Sequence, residues 1–234
     1  MITITPELEV AQLTGQTEAH LLPCWSGVLV HRQVLAPLER LRSKAQAQGF
    51  ELALASGFRS FERQMGIWQR KLAGELPLLS AAGEPLDVRR LSPEEQLQAL
   101  LRWSALPGTS RHHWGTDFDI YDAAAVTADY RLQLVPEEYT DTGPFAPLTR
   151  WLQQAVAADQ AEGFFFPYSD DIGGVAPEPW HLSYRPLAQQ CQQHFDRALF
   201  QSLLQTAGWP LADCIARRAD EIYRRYICLQ ADEG

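Results

Sequence analysis

The segment between residues 110 and 122, SRHHWGTDFDIYD, contains several side chains that can bind a metal ion. The candidate donors are His112, His113, Asp117 and Asp119. A catalytic zinc ion takes three histidine or carboxylate ligands from the protein and keeps a further position for water. Gly115 allows the chain to turn between the histidines and the aspartates, so an imidazole and a carboxylate from this segment can meet at one ion.

A second short segment, EPWH at residues 178–181, supplies donors that the first one lacks. His181 adds a third ligand, and Glu178 places a carboxylate close to it, as the general base for a metal-activated water requires. Pro179 biases the residue before it away from helix, so this segment is predicted to be extended. The helical HExxH pattern of thermolysin-like proteases does not occur in the sequence.

Each of these residues also has a structural explanation when it is considered alone. A single histidine is more often a packed or surface side chain than a ligand, and the aspartates could form the solvated face of a strand. The combination of the two segments favours a metal site. A second pairing, of His113 with Asp117, stays open at this point, because strand alternation places Asp117 and Asp119 on the same face.

The periodicity of apolar residues predicts the elements that must position these side chains. The predicted elements are a helix over residues 33–48, a strand over 51–55, helices within SGFRSFERQMGIWQRKL, SPEEQLQALLRW and APLTRWLQQAVAADQAEG, and a strand within WGTDFDIYD. Alternation in this last strand turns Phe118 and Ile120 toward a core, away from the aspartates. Residues 74–92 are expected to form a loop.

The chain changes character after Pro186, where two apolar stripes follow, separated by the tripeptide GWP. The stripes consist of Leu187, Cys191, Phe195, Leu199 and Leu203, and of Ile215, Ala219, Ile222, Tyr226 and Leu229. Their spacing predicts a hairpin of two helices of roughly 18 residues each. We therefore expect an α+β body over residues 1–186 and a C-terminal helical extension, residues 187–234, packed on it.

Three motifs connect these residues with a known family. The pattern SxHxxGxxxD occurs at residues 110–119, ExWH at 178–181, and SGFRSFERQ at 56–64 is similar to an SGYRSxxxQ segment. Over roughly residues 30–185, the chain resembles the zinc D-alanyl-D-alanine carboxypeptidases of the VanY and VanX types. These belong to the LAS metallopeptidases, a group that also includes lysostaphin and sonic hedgehog. The resemblance implies a small antiparallel sheet that carries a zinc site and is flanked by helices.

The resemblance also implies a role for each matching residue. Zn²⁺ would be held by His112, Asp119 and His181. Glu178 would be the catalytic base, and Arg59 would polarise the scissile carbonyl or stabilise the oxyanion that forms from it.

Substrate contacts are implied for Ser110, Gln64 and Ser56. The chain departs from the family at one position, because Asp117 stands where members often carry alanine. The family register favours His112 with Asp119 over the rival pairing. Asp117 is then expected to hydrogen-bond a ligand histidine from behind, as metal-binding histidines usually require.

The function implied by the resemblance is metal-assisted hydrolysis of an amide bond in peptidoglycan. A carboxypeptidase that removes C-terminal D-alanine from stem peptides or muropeptides ranks first, and a peptidoglycan endopeptidase of the endolysin kind ranks second. D,D- and L,D-carboxypeptidase activities both stay open. A non-catalytic zinc-binding module like the hedgehog domain is a third hypothesis, which the presence of Glu178 and Arg59 disfavours, because a structural site needs neither.

Composition limits the partners and the location. A net charge of −9 disfavours a nucleic-acid partner or an anionic membrane surface. No stretch approaches the roughly 18 apolar residues of a transmembrane helix. The N-terminal segment MITITPELEVAQLTGQ lacks the basic region and apolar core of a signal peptide, so a cytoplasmic location is expected. The four cysteines have no CxxC spacing and are expected to be reduced thiols.

Overall fold

The computed structural model describes residues 9–229. The first eight residues, which form half of the N-terminal segment considered for a signal peptide, and the last five lie outside the described residues. The strands, in chain order, are β1 (Leu21–Pro23), β2 (Leu29–His31), β3 (Leu52–Ser56), β4 (Leu78–Leu79), β5 (Pro85–Leu86), β6 (Asp117–Asp122), β7 (Phe164–Phe165) and β8 (His181–Tyr184). The α-helices are α1 (Val10–Leu13), α2 (Leu35–Ala47), α3 (Phe61–Leu72), α4 (Pro93–Trp103), α5 (Pro136–Tyr139), α6 (Ala146–Ala157), α7 (Arg185–His194), α8 (Arg197–Thr206), α9 (Ala212–Arg217) and α10 (Ala219–Ile222).

The central element is a four-stranded antiparallel sheet with the spatial order β3-β6-β8-β7. Strands β1 and β2 form a separate hairpin, as do β4 and β5. The fold class is therefore α+β with a small antiparallel sheet flanked by helices, as predicted. No helix between residues 9 and 229 is both long and apolar enough to cross a membrane.

One face of the central sheet is apolar and packs against α2 and α6. Phe118 and Ile120 of β6 and Leu182 of β8 share a buried cluster with Leu38 of α2 and Leu152 of α6. This confirms the predicted alternation along β6, since the residues between them carry the polar face. Full burial of each such side chain contributes about 1.5–3 kcal/mol to folding.

A second buried cluster joins α3 and α4 to the C-terminal helices. It includes Trp68 of α3, Leu100 of α4, Phe200 of α8 and Ile215 of α9. Helix α4 begins as the sequence predicted: Ser92 forms a capping box with Glu95, which satisfies backbone amides of the first turn. The C-terminal helices thus share a core with the preceding body, and the predicted domain boundary at residue 186 stays a prediction.

The predicted C-terminal helices are shorter than expected. The first apolar stripe is divided at Phe195 between α7 and α8, because the Asp196 side chain accepts a hydrogen bond from the Leu199 amide and so caps a new helix. The second stripe is divided at Arg218 between α9 and α10, and a π-helical turn, Tyr223–Ile227, follows. Residues 74–92 also differ from the prediction, since they include the β4–β5 hairpin and a short 3₁₀ turn.

Candidate metal centre and active site

Strand register brings polar residues of three strands together on the second face of the sheet. Asp119, on the central strand β6, lies opposite Ser56 of β3 and opposite His181 of β8. Directly opposed residues of antiparallel strands have neighbouring side chains. Residues that are distant in sequence therefore meet at one level of the sheet, with Asp119 in the middle.

His112 reaches Asp119 from a 3₁₀ turn, Arg111–Trp114, that precedes β6. The turn ends at Gly115 in the left-handed region, with φ of 68°. A Cβ at this position would lie 2.6 Å from the Leu21 side chain, so only glycine fits here. The His112 Nδ1–H donates to the Gly57 carbonyl at 2.9 Å, which leaves Nε2 directed at Asp119, 3.5 Å from its Oδ1.

These two residues and His181 form a group of potential metal ligands. Each offers one donor atom within 4.8 Å of the others, and all three are buried. Two imidazole nitrogens and one carboxylate oxygen are a donor set that catalytic zinc takes in proteins. The structure thus brings together the three predicted ligands, and their chemistry fits Zn²⁺.

Asp117 holds the other side of His181. Its Oδ1 accepts a hydrogen bond from His181 Nε2 at 2.9 Å and another from Arg111 Nε at 2.8 Å, while Thr116 donates to Oδ2 at 2.6 Å. The ring nitrogen that remains on His181, Nδ1, lies 2.9 Å from Glu178 and 3.9 Å from Asp119. Asp117 therefore orients a candidate ligand from behind, as the sequence analysis expected.

Buried charges set the protonation of this group. Burial raises the pKa of Asp117, but the Arg111 guanidinium and His181 outweigh it, so the net pKa is lowered and the carboxylate is ionised. Burial lowers the pKa of His181, but its hydrogen bonds to Asp117 and Glu178 raise it to about 9. Because a ligand histidine must be deprotonated, a metal ion has to displace the proton from Nδ1.

His113 points away from the candidate ligands, which argues against the rival pairing with Asp117. Its Nδ1–H donates to the Arg59 carbonyl at 2.5 Å, and its Nε2 accepts from the Gly108 amide at 2.9 Å. Burial lowers the pKa of His113 to about 3, so the ring is neutral and both nitrogens are used. The Arg59 amide in turn donates to the His112 carbonyl at 3.1 Å, which ties Arg59 to the histidine turn through its own backbone.

Arg59 and Glu178 lie on the same cavity as the three candidate ligands. The cavity has a volume of about 230 Å³. The Arg59 guanidinium lies 3.7 Å from Asp119 Oδ2 and donates to Gln64 Oε1 at 3.0 Å. An acid and a fixed guanidinium thus line the same cavity as the candidate metal ligands.

The three predicted substrate contacts differ in position. Ser110 lines the cavity and its side chain makes no helix-capping hydrogen bond. Ser56 donates to Asp119 Oδ2 and so supports a candidate ligand. Gln64 is fully buried behind Arg59, and its amide donates to Ala105 O at 2.7 Å. Contact of these residues with substrate stays a prediction, and the structure gives Ser56 and Gln64 supporting positions.

Lys71 and Tyr168 are among the cavity residues that the sequence did not identify. Lys71, in the last turn of α3, lines the cavity, and Tyr168 lines it from an irregular segment. The Tyr168 ring packs edge-on against His181, with 4.9 Å between the ring centroids. Lys71 lies seven residues after Gln64, which places both on one face of α3. This spacing relates Lys71 to Gln64 but does not show what their shared face meets, and no sequence pattern pointed to Tyr168.

Comparison with known proteins identifies the family. The family model described as VanY, D-alanyl-D-alanine carboxypeptidase, matches residues 27–187. The chain belongs to the VanY family. The VanY-type domain therefore contains the whole cavity described above, together with all three motifs of the sequence analysis. VanY-type proteins are metallopeptidases that act on peptidoglycan, and zinc is the metal that the three donors of this chain fit.

This VanY-family chain is similar to several known proteins. The chain is 34% identical over 123 residues to an uncharacterized protein of Haemophilus influenzae. This alignment covers 52% of the chain and 92% of that protein. The chain is 28% identical over 175 residues to a D-alanyl-D-alanine carboxypeptidase of Enterococcus faecalis, covering 74% of this chain and 54% of the relative. The structure of VanYB in complex with D-alanine-D-alanine shares the fold, with a TM-score of 0.51 and 23% identity over 76% of this chain and 86% of that one.

Proposed function

We propose that this protein is a zinc-dependent carboxypeptidase that removes C-terminal D-alanine from peptidoglycan stem peptides or muropeptides. The observation that carries the proposal is the joint placement, around one cavity, of three metal donors, Glu178 and Arg59. A structural metal site needs neither an acid nor a guanidinium beside it. A D-alanyl-D-alanine carboxypeptidase of Enterococcus faecalis is among the relatives, which supports this choice of substrate.

The residues divide the chemistry of amide hydrolysis among them. Zinc bound by His112, Asp119 and His181 would supply an acidified water, with a pKa near ~7, and a Lewis acid for the scissile carbonyl. Glu178 accepts the proton of the attacking water and returns it to the leaving amine. Arg59 stabilises the charge that develops on the carbonyl oxygen.

The support behind these side chains reduces the reorganisation that catalysis requires. Arg59 is fixed by Gln64 on its side chain and by His112 and His113 on its backbone. His181 is fixed by Asp117. Preorganised groups stabilise a transition state without moving, which is the main source of electrostatic catalysis.

Product analysis by mass spectrometry tests this function. Zinc-loaded protein, beside a Glu178→Ala control, is incubated with muramyl tetrapeptide and with muramyl pentapeptide. We expect the wild-type protein to release one D-alanine from the pentapeptide, and the control to release none.

The other products would redirect the assignment. Release of D-alanine from the tetrapeptide would identify an L,D-carboxypeptidase, and release of the dipeptide D-Ala-D-Ala would identify a dipeptidase. Cleavage of polymeric peptidoglycan alone would identify an endopeptidase. If the protein binds one zinc ion per chain but forms no product, it is a non-catalytic zinc-binding module.

A further inference from the structure

The cavity wall contains a lysine whose ammonium forms no ion pair within residues 9–229. Lys71 is half-buried on the cavity wall, and within residues 9–229 its ammonium makes no hydrogen bond and no ion pair. The other cations of the wall are already paired: Arg59 lies 3.7 Å from Asp119, and Arg111 lies 2.8 Å from Asp117. One positive charge of the cavity is therefore available for a ligand.

The position of Lys71 places this charge next to the reacting groups. Burial lowers the pKa of Lys71, Arg59 lowers it further and Glu178 raises it, so the ammonium is within electrostatic reach of both. In a carboxypeptidase substrate the terminal carboxylate lies one residue, or about 3.8 Å of chain, beyond the scissile bond. Lys71 lines the same cavity as Arg59 and Glu178, so its ammonium is a candidate partner for that carboxylate.

We propose that Lys71, together with the hydroxyl of Ser110, binds the C-terminal carboxylate of the peptide and so restricts the enzyme to exopeptidase cleavage. This inference rests on the proposed function and names the residue that selects the substrate end. Gln64 is hydrogen-bonded behind Arg59 and does not line the cavity. Lys71 is therefore the residue on this face of α3 that can bind the carboxylate. A substrate cleaved at an internal bond would bury the ammonium without a partner, which is unfavourable.

The first test compares N-acetyl-D-Ala-D-Ala with its C-terminal carboxamide as substrates of the zinc-loaded full-length protein. Lys71→Met keeps the length of the side chain and removes the charge. Loss of one hydrogen bond to a charged group predicts a decrease of about 10- to 100-fold in kcat/KM for the acid, mainly through KM, and no change for the amide. Lys71→Arg should recover part of the activity. Lys44→Met is the matched control, because Lys44 pairs with Glu162 away from the cavity.

An equal decrease for acid and amide would mean that Lys71 acts on Glu178 or Arg59, and would overturn the proposal. Unchanged kinetics of Lys71→Met would overturn it too. If the wild-type protein cleaves neither compound, D,D-carboxypeptidase activity is ruled out, and the binding test below decides the role of Lys71.

The second test decides the binding role whether or not turnover occurs. Lys44 and Lys71 are the chain's two lysines. Acetic anhydride labelling of the zinc-loaded Glu178→Gln protein, followed by peptide mass spectrometry, reports the accessibility of each. We expect N-acetyl-D-Ala-D-Ala to protect Lys71 at least several-fold, the carboxamide to protect it much less, and neither to protect Lys44. Equal protection of Lys71 by acid and amide would contradict carboxylate recognition.

Discussion

His112 and His113 form one pair of identical residue types, and Asp119 and Asp117 form another. In each pair the first residue lines the cavity and the second lies behind it. The two members of a pair differ in how their polar atoms are used. His113 and Asp117 have every ring nitrogen and carboxylate oxygen in a hydrogen bond. At the cavity, His112 Nε2 and Asp119 Oδ1 have no hydrogen bond to any residue between 9 and 229, and they lie 3.5 Å apart. Within these two pairs, unused donor atoms rather than residue type distinguish the candidate ligand from its support. The third candidate ligand, His181, differs, because both of its ring nitrogens are hydrogen-bonded, to Asp117 and to Glu178.

The largest effect is expected for the acid at the cavity. Glu178→Gln should lower kcat by about 10³-fold, because general acid–base catalysis contributes roughly 10²- to 10⁴-fold. Zinc affinity should stay nearly constant, since the variant keeps the three ligands. Steady-state kinetics and zinc titration on one preparation measure both. A variant that retains most of its kcat would remove Glu178 from the mechanism.

A matched histidine pair tests the comparison directly. His112→Asn should lower zinc affinity by more than about 100-fold, because it removes one of the three protein ligands. Loss of a ligand weakens binding more than loss of a residue that only hydrogen-bonds a ligand. His113→Asn should keep zinc binding within a few-fold and lower the thermal midpoint instead, since a buried two-bond link is lost. Competition with a chelator and a thermal melt give the two values. The reverse pattern would restore the rival pairing of His113 with Asp117.

The support of His181 should have an intermediate effect. Asp117→Asn should lower zinc affinity by about 10- to 100-fold, as loss of an outer partner of a metal-bound histidine does. It should also destabilise the fold by about 3 kcal/mol, because Arg111 is left buried without its counter-charge. Asp122→Asn is the control: this carboxylate, at the other end of β6, accepts from the Glu51 and Ala124 amides and should affect stability alone. Equal zinc affinities in the two variants would separate Asp117 from the metal site.

The smallest effect concerns two histidines outside both pairs. These are His20 and His31, and burial lowers the pKa of each ring from 6.5 to about 4. The positive charge of Arg32 lowers both pKa values further, and His20 also lowers that of His31. The unfolded chain takes up protons near pH 6.5 and the folded chain near pH 4, so stability is full above pH 6.5 and falls between these values as pH decreases. His20→Phe should reduce this slope by up to about 1.4 kcal/mol per pH unit. Urea unfolding at several pH values, with EDTA present, measures the slope, and an unchanged slope would contradict a neutral His20.

Much of the fold could be predicted because local signals agreed with the final packing. Helices α2, α3, α4 and α6 have apolar periodicity, and α4 also has a capping box. The short hairpins could not be predicted, since strands of two or three residues have no usable period. The broken C-terminal helices were missed because the apolar stripe continues through the break, while one capping side chain, Asp196, decides where a new helix starts.

Some residues of the candidate site could be predicted from the sequence, and others could not. His112, Asp119 and His181 lie in motifs whose spacing is set by strand register, so the sequence was sufficient to group them. Whether Gln64 faces the cavity or the interior depends on the packing of α3 against residues 104 and 105, which no local pattern contains. Lys71 was missed for the same reason, because helical spacing gives its face but not what that face meets.

A contact between the α8–α9 connection and the segment before the histidine turn has a consequence for the order of synthesis. Trp209 Nε1 donates to the Pro107 carbonyl at 2.9 Å, across 102 residues of sequence, and the adjacent Gly108 amide is the donor to His113. A ribosome that has already released the histidine turn has therefore not yet released the tryptophan that supports it. Translation completes this packing late, and a chain stopped before residue 209 would carry every metal-binding motif of the protein without the Trp209 contact beside Gly108.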